Sequence, residues 1–275
     1  MQSSLDISWW QLAIFMLVLL VPLVVNFRFS LGLTREISLA VVRMSLQLVL
    51  VGLYLQFLFE LNNPVLNLMW LMVMLLVGTS AIISSTALPA KYLYLPVLSG
   101  LLLGLVPLLL LLLLALLRPE PVYNAQYLIP LAGMLLGNSL SGNIVALQRL
   151  FTAFRDKNDE YEGALALGAS PAQASLPFVQ SAMQQAFAPI LASMATTGLV
   201  TLPGMMTGQI LGGVDPITAI KYQLVILVAI FVMLSISVTA SLYLGIRTSI
   251  EATGRVKVTF KTPKVKKQAS RDKRA

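Results

Sequence analysis

The sequence contains neither cysteine nor histidine in its 275 residues. Without cysteine, the chain has no disulfide, no thiolate metal site and no cysteine nucleophile. Without histidine, it lacks the commonest general base and the commonest transition-metal ligand in proteins. A Ser/His/Asp triad and a histidine-based zinc site are therefore both excluded.

Two further features are missing, and both concern the source of energy. The chain has no G-x-x-x-x-G-K-[S/T] motif, so we expect no phosphate cradle for ATP and no cofactor in it. A proton- or sodium-coupled carrier usually needs a carboxylate inside the membrane. Here the acidic residues near hydrophobic segments lie at the ends of those segments, namely Glu36, Glu60, Glu120 and Asp215. Energy for transport is therefore predicted to come from a separate protein.

Hydrophobic residues make up 57% of the chain and charged residues 11%, which is typical of an integral membrane protein. Long apolar runs predict an all-α polytopic membrane protein, because a helix needs roughly 20 apolar residues to cross a bilayer. We predict about seven transmembrane helices, at about 9–27, 37–59, 65–86, 95–117, 126–148, 179–202 and 220–246. Residues 1–250 would form the transmembrane domain, and residues 251–275 a flexible, basic cytoplasmic tail.

The distribution of basic residues predicts the orientation of the chain. The net charge is +8, and nine of the 19 Lys and Arg residues lie between Arg255 and Arg274. With seven spans and the N-terminus outside, sixteen basic residues lie on the inner side and two, Arg118 and Lys221, on the outer side. This asymmetry predicts an external N-terminus and a cytoplasmic C-terminus. A basic tail beside a span is typical of lipid contact rather than nucleic-acid binding.

A polar loop at about 151–178 interrupts the hydrophobic region. In it, Glu162-Gly163-Ala164 is followed by Gly168, six residues after the Glu, and by Leu176-Pro177. This spacing resembles the EAA loop of ABC-transporter permeases, whose short coupling helix docks into a groove of the ATPase. Small residues allow two backbones to approach, and Gly168 can end a helical segment at Gly163–Ala169 in a left-handed turn. The predicted ATPase-docking residues are Glu160, Tyr161, Glu162, Ala164, Gly168, Ala169, Ser170 and Pro171. The alternative interpretation is a solvated surface helix between two spans.

A second polar stretch, Thr196–Gly213, lies inside the hydrophobic part of the chain. Pro203-Gly204 is expected to break the helix there, and unpaired backbone at membrane depth is tolerated only against protein or a water-filled cavity. We predict that these residues line a gate or pathway: Arg43, Gln47, Asn138, Ser141, Asn143, Thr197, Thr201, Pro203, Gly204 and Gln209. Met205 and Met206 offer thioether ligands to a metal. The alternatives are packing roles for the methionines and snorkelling of Arg43 to the inner surface.

Three segments together indicate a family: GNSLSGN at 137–143, EYEGALALGAS at 160–170 and LPGMMTGQILGG at 202–213. They make the chain resemble the FetB-type permeases of bacterial iron exporters, a family that includes plant membrane subunits linked to aluminium tolerance. The resemblance implies a permease subunit of the bacterial inner membrane, working as a homodimer with two copies of a separate cytoplasmic ATPase that binds ATP and Mg. It also implies export of iron, or of another metal or metal complex.

The ligand chemistry leaves the cargo open. Fe²⁺ favours imidazole and carboxylate ligands, and the predicted membrane region offers neither. The cargo could therefore pass hydrated or complexed, or another compound could be the substrate. A passive channel and an ABC permease for a non-metal small molecule are the alternative functions, although a channel would leave the coupling-like loop unexplained.

Overall fold

The computed structural model describes residues 8–251, 253–258 and 260. Over these residues the chain forms nine helices: α1 (Trp9–Arg28), α2 (Thr34–Leu61), α3 (Pro64–Thr86), α4 (Ala90–Leu117), α5 (Ala125–Asp156), α6 (Asn158–Ala166), α7 (Pro171–Thr196), α8 (Gly204–Leu211) and α9 (Pro216–Ser249). Helix α1 contains a 3₁₀ turn at Met16–Leu19, and α4 ends in a π-helix at Leu111–Leu117. The predicted all-α polytopic class is confirmed.

Within the described part of the chain, six helices are long and apolar enough to cross a membrane, namely α1 to α5 and α9. They correspond to six of the seven predicted spans. The remaining one, α7, has 26 residues, or about 39 Å at 1.5 Å per residue. It is more polar than the others because it carries glutamine at positions 173, 180, 184 and 185. Helix α7 packs against α5 and α9, and so belongs to the same bundle.

Several helices begin at a polar residue followed by proline. The Asn63 side chain accepts a hydrogen bond from the Val65 amide, and the Asp215 side chain caps α9 in the same way. At α7, Ser170 Oγ accepts from the Gln173 amide at 3.3 Å while Gln173 Oε1 accepts from the Ser170 amide at 2.9 Å. This capping box, with Pro171 at the first helical position, starts α7 eight residues before the predicted span. The last part of the predicted loop is therefore helical.

Glycines bring α4 and α9 close together. A Cβ atom added to Gly100 would lie 2.7 Å from the Ser237 carbonyl oxygen, and one added to Gly104 would lie 3.1 Å from the Met233 carbonyl oxygen. Only small residues permit this approach of two membrane helices. In contrast, a Cβ on Gly204 or Gly208 would meet no described atom within 4 Å. The tight α4–α9 pair forms the centre of the bundle.

Helix α2 has little contact with the rest of its own chain. Leu58, near the C-terminal end of the helix, is its only buried residue. At its start, Asn26 donates to Thr34 Oγ1 at 2.7 Å and accepts from the Leu33 amide at 2.8 Å, which fixes the turn from α1. Most of the α2 surface is therefore left for lipid or another subunit.

Part of the predicted tail is folded. Residues 249–251 and 253–258 turn back toward α5 and α6, and Val258 is buried in the main hydrophobic core. The rest of the predicted tail, at 252, 259 and 261–275, lies outside the described residues.

Candidate functional site

Helix α6 is fixed to the bundle by an aromatic cluster. Tyr161 is only 2% exposed. Its ring meets the Phe154 ring edge-on, with centroids 5.1 Å apart, and Phe154 meets Phe178 in the same manner at 5.3 Å. Because Phe154 belongs to α5 and Phe178 to α7, this aromatic anchor joins α6 to both long helices.

The Tyr161 hydroxyl makes one further contact, to the end of the chain. It donates a hydrogen bond to the Gly254 carbonyl oxygen at 2.9 Å. Burial raises the pKa of the Tyr161 hydroxyl, which therefore remains a protonated donor at neutral pH. Tyr161 was predicted to touch an ATPase, but the structure turns its side chain inward. Any contribution it makes to docking must come from positioning α6.

The opposite side of α6 is open. Its exposed face consists of Asp159, Glu160, Glu162, Gly163, Ala166 and the adjoining Leu167. The Leu167 side chain is 92% exposed. A Cβ atom added to Gly163 would meet no described atom within 4 Å. Sequence reasoning missed Leu167, although an apolar residue just before a helix-ending glycine in a polar loop could have marked it.

The glycine turn after α6 is confirmed. Gly168 has φ +95°, in the left-handed region. Its amide donates to Leu165 O at 2.9 Å, and the Ala169 amide donates to Ala164 O at 3.0 Å, which is the Schellman pattern of a helix end. The helical segment predicted at Gly163–Ala169 is wrong in its bounds, since α6 covers Asn158–Ala166.

The remaining predicted docking residues have mainly local roles. Ala164 and Ala169 are half-buried and pack against the core. Ser170 and Pro171 start α7. Both acidic residues predicted to dock, Glu160 and Glu162, lie on the exposed face. The Lys157 Nζ atom donates to Glu160 Oε1 at 3.1 Å.

The polar residues of α5 divide between a groove and the core. Asn138 and Ser141 line a groove of about 230 Å³ between α5, α7 and α9, opposite Pro189 and Ser193. Asn143 is fully buried, and its Nδ2 donates to Ser139 O and to Ser237 Oγ, both at 2.9 Å. Asn143 thus ties α5 to α9, apart from the groove that its two neighbours line.

The predicted gate is a turn followed by a short helix. Helix α7 ends at Thr196, and the Gly198 amide donates to Thr201 O at 2.9 Å within the turn. The helix therefore stops before Pro203-Gly204, and these two residues begin α8 instead of interrupting a longer helix. In the turn, Leu199 is 92% exposed. Thr197 Oγ1 donates back to Ser193 O at 2.7 Å, which uses its hydroxyl locally.

Oxygen and sulfur donors occur on α8 and in the first turns of α9. Met205 and Met206 are half-buried, and Met205 packs against the main core. Gln209 Oε1 and Gln223 Oε1 are buried without a hydrogen-bond partner among the described residues. Gln223 was not predicted, although it is an isolated amide about two turns into the last span.

A conventional metal centre is not among these groups. No cluster of three or more His, Cys, Asp or Glu side chains occurs within the described residues. Arg43 and Gln47, also predicted for the pathway, are both exposed on the sparsely packed α2. The predicted pathway residues thus offer amide oxygens, hydroxyls and thioethers, and Arg43 on α2 is the charged residue among them.

Over the described residues, these features define a polytopic, all-helical membrane protein with two short helices, α6 and α8, each between two long ones. Residues 9–250 match the uncharacterised protein family UPF0014, and the chain belongs to this family. This confirms the family resemblance indicated by the three sequence segments.

Three relatives illustrate the breadth of the family. A UPF0014 membrane protein of Synechocystis sp. is 34% identical over 225 residues, covering 78% of this chain and 84% of that protein. The protein ALUMINUM SENSITIVE 3 of Arabidopsis thaliana is 34% identical over 232 residues, covering 83% and 82%. The probable iron export permease protein FetB of Escherichia coli is 28% identical over 257 residues, covering 94% and 98%. No solved structure matches the chain.

Proposed function

We propose that this chain is the membrane-spanning permease subunit of an ATP-driven ABC exporter. The cargo is iron, another metal or a metal complex, and the chain itself is not an enzyme. ATP and Mg bind to a separate cytoplasmic ATPase. The names of the relatives in E. coli and Arabidopsis, which refer to iron export and aluminium sensitivity, support a metal cargo.

The exposed face of α6 carries the proposal. Leu167 is 92% exposed, and covering a leucine of this kind contributes about 1.5–3 kcal/mol to association. Beside it, Gly163 leaves room for a partner backbone to approach. The aromatic anchor joins this helix to α5 and α7. A partner that moves α6 would therefore move the bundle.

The surface of α2 supports the proposal of a homodimer. Arg43 and Gln47 are exposed on a helix that buries only Leu58 in its own chain. Polar side chains at membrane depth normally face protein or water rather than lipid. A second copy of the chain packed on α2 would provide such surroundings.

The orientation follows from charge. With α7 taken as a seventh crossing, the sixteen-to-two distribution of basic residues favours an external N-terminus and a cytoplasmic α6. The proposed location is the inner membrane of a bacterium, with lipid around the bundle, and the similarity to bacterial relatives supports it.

The donors available to the cargo favour a hydrated or complexed metal. Gln209 and Gln223 present buried, unpartnered amide oxygens among the described residues, and Met205 and Met206 present thioethers. These groups can replace part of a hydration shell, but they do not form the nitrogen and carboxylate site that Fe²⁺ prefers.

Association with the ATPase tests the proposal. The full chain is reconstituted in nanodiscs with an ABC ATPase that is encoded in the same genome. This ATPase is a separate chain with its own P-loop. We expect a stable complex whose ATP hydrolysis is stimulated by Fe²⁺ or a metal chelate. Leu167→Ser should weaken the complex by roughly 10- to 150-fold in affinity. Leu211→Ser is the matched control, because Leu211 is 75% exposed on α8, and it should leave the complex intact. In proteoliposomes, which enclose a compartment, cargo flux without any ATPase would favour a passive channel instead.

A further inference from the structure

The segment after α9 forms a short hairpin. The Lys257 amide donates to Ser249 O at 2.7 Å, and the Glu251 amide donates to Arg255 O at 3.0 Å. Ile250 and Val256 pair as an antiparallel bridge, and Lys257 Nζ lies 3.5 Å from Glu251 Oε1. We call residues 249–251 and 253–258 the C-terminal hairpin. It continues directly from α9, so its position follows the end of that helix.

The tip of the hairpin contacts α6. Gly254 O accepts the hydrogen bond from the Tyr161 hydroxyl at 2.9 Å. Gly254 has φ +90°, and a Cβ atom added to it would lie 2.5 Å from Leu165 Cδ1. A side chain at this position would therefore be disfavoured by the backbone conformation and by contact with α6. Tyr161 and Leu165 face the hairpin from the side of α6 opposite to its exposed face.

The base of the hairpin packs on the end of α5. Val258 is 5% exposed within the core that contains Phe151 and Phe154. The Arg155 guanidinium lies 5.3 Å from the centre of the Phe260 ring. The contact with α6 is thus held in place from both ends, by α9 and by α5.

We propose that the C-terminal hairpin is a latch that ties α6 to the cytoplasmic end of α9, and that Tyr161 and Gly254 are its positioning residues. The inference rests on the proposed function, in which α6 is the helix that the ATPase binds. Helix α9 packs tightly on α4 through Gly100 and is bonded to α5 through Asn143 and Ser237. Through the latch, a displacement of α6 reaches the centre of the bundle in addition to α5 and α7.

Amide hydrogen exchange of the purified full chain, without any ATPase, tests the latch itself. Tyr161→Phe keeps the ring in the aromatic anchor and removes only the hydroxyl. Gly254→Val removes the glycine at the tip. Both variants should raise exchange in α6 and in 250–258, by roughly 5–30-fold for the loss of one buried hydrogen bond. Gly32→Val is the control, because Gly32 has φ +71° but no described neighbour within 4 Å of an added Cβ. Unchanged exchange in both variants would overturn the latch.

The reconstituted complex tests the positioning role. Both variants leave the exposed face of α6 intact, so the ATPase should still bind and hydrolyse ATP at its basal rate. Stimulation by cargo should fall roughly tenfold with the increased mobility of α6. Full stimulation in variants whose α6 exchanges faster would overturn the positioning role. If no ATPase binds even the unchanged chain, the proposed function fails, and the exchange experiment alone judges the latch.

Discussion

Gly163 allows the docking surface to be tested without disturbing the permease. It lies in the middle of α6, is exposed, and has no described atom within 4 Å of an added Cβ. Replacing it with leucine adds a good helix former, which favours the helix by roughly 0.8–1 kcal/mol relative to glycine. We therefore expect Gly163→Leu to fold and to insert into the membrane, with unchanged or slightly higher thermal stability.

The same substitution should weaken the complex. If an ATPase backbone packs against Gly163, the new side chain overfills the contact, and such overpacking typically costs about 1–3 kcal/mol. This corresponds to a loss of affinity of roughly 5- to 150-fold. Gly163→Ala should give a smaller loss, because it adds only one methyl group.

The assay is a titration of the ATPase onto permease in nanodiscs, combined with thermal unfolding of each permease variant alone. The expected result is a graded loss of affinity from glycine to alanine to leucine with no loss of stability. Unchanged affinity for Gly163→Leu would refute the docking role of this face of α6.

Three other predictions concern the remainder of the bundle. Asn143→Ala should destabilise the protein by roughly 0.6–1.7 kcal/mol in denaturant titrations in mixed micelles, because the hydrogen bond to Ser237 is lost. A loss of transport without a loss of stability would instead indicate that Asn143 lines the pathway. Replacing Met205 and Met206 together with leucine keeps volume and apolarity, so assembly with the ATPase and basal ATP hydrolysis should persist. A fall in transport would indicate that the thioethers contact the cargo. Full transport would show that the two methionines serve only in packing. A reporter active only in the cytoplasm should work after Arg274, and one active only outside should work at Asn62; signals on the reverse sides would contradict the orientation.

The lengths of the apolar runs in the sequence were enough to predict the fold class. Runs of apolar residues near 20 in length predicted six helices that the structure contains. The start of α7 was missed because hydropathy ignores capping. Ser170, Pro171 and Gln173 form a capping box with proline at the first position, and this local signal places the helix start in a polar stretch.

Within the loop, the sequence predicted a short helix that ends at Gly168, but it placed the buried Tyr161 among the exposed docking residues. Tyr161 was grouped with its acidic neighbours. Its apolar partners in the pattern are Ala164 and Leu165, three and four residues later, which share one side of a helix. That pattern predicts an inward Tyr161 and leaves Leu167, beyond the last turn, free to be exposed.

Other contacts could not be predicted because they join distant parts of the chain. Asn143 meets Ser237, 94 residues later, and Tyr161 meets Gly254, 93 residues later. Neither pair carries a local signature, since a polar residue in a span can equally line a pathway or bond to a neighbouring helix. Only the packing of α5, α6 and α9 decides between these roles.

Cargo-stimulated ATP hydrolysis by the reconstituted complex tests the central claim most directly. The full chain and its ATPase are placed in proteoliposomes, and hydrolysis and metal flux are followed together with Fe²⁺ or a metal chelate as the candidate cargo. The account predicts metal movement out of the ATPase-facing compartment that requires ATP, and hydrolysis that rises with cargo concentration. Metal movement that is equally fast without ATP, or hydrolysis that never responds to any metal or chelate, would contradict it.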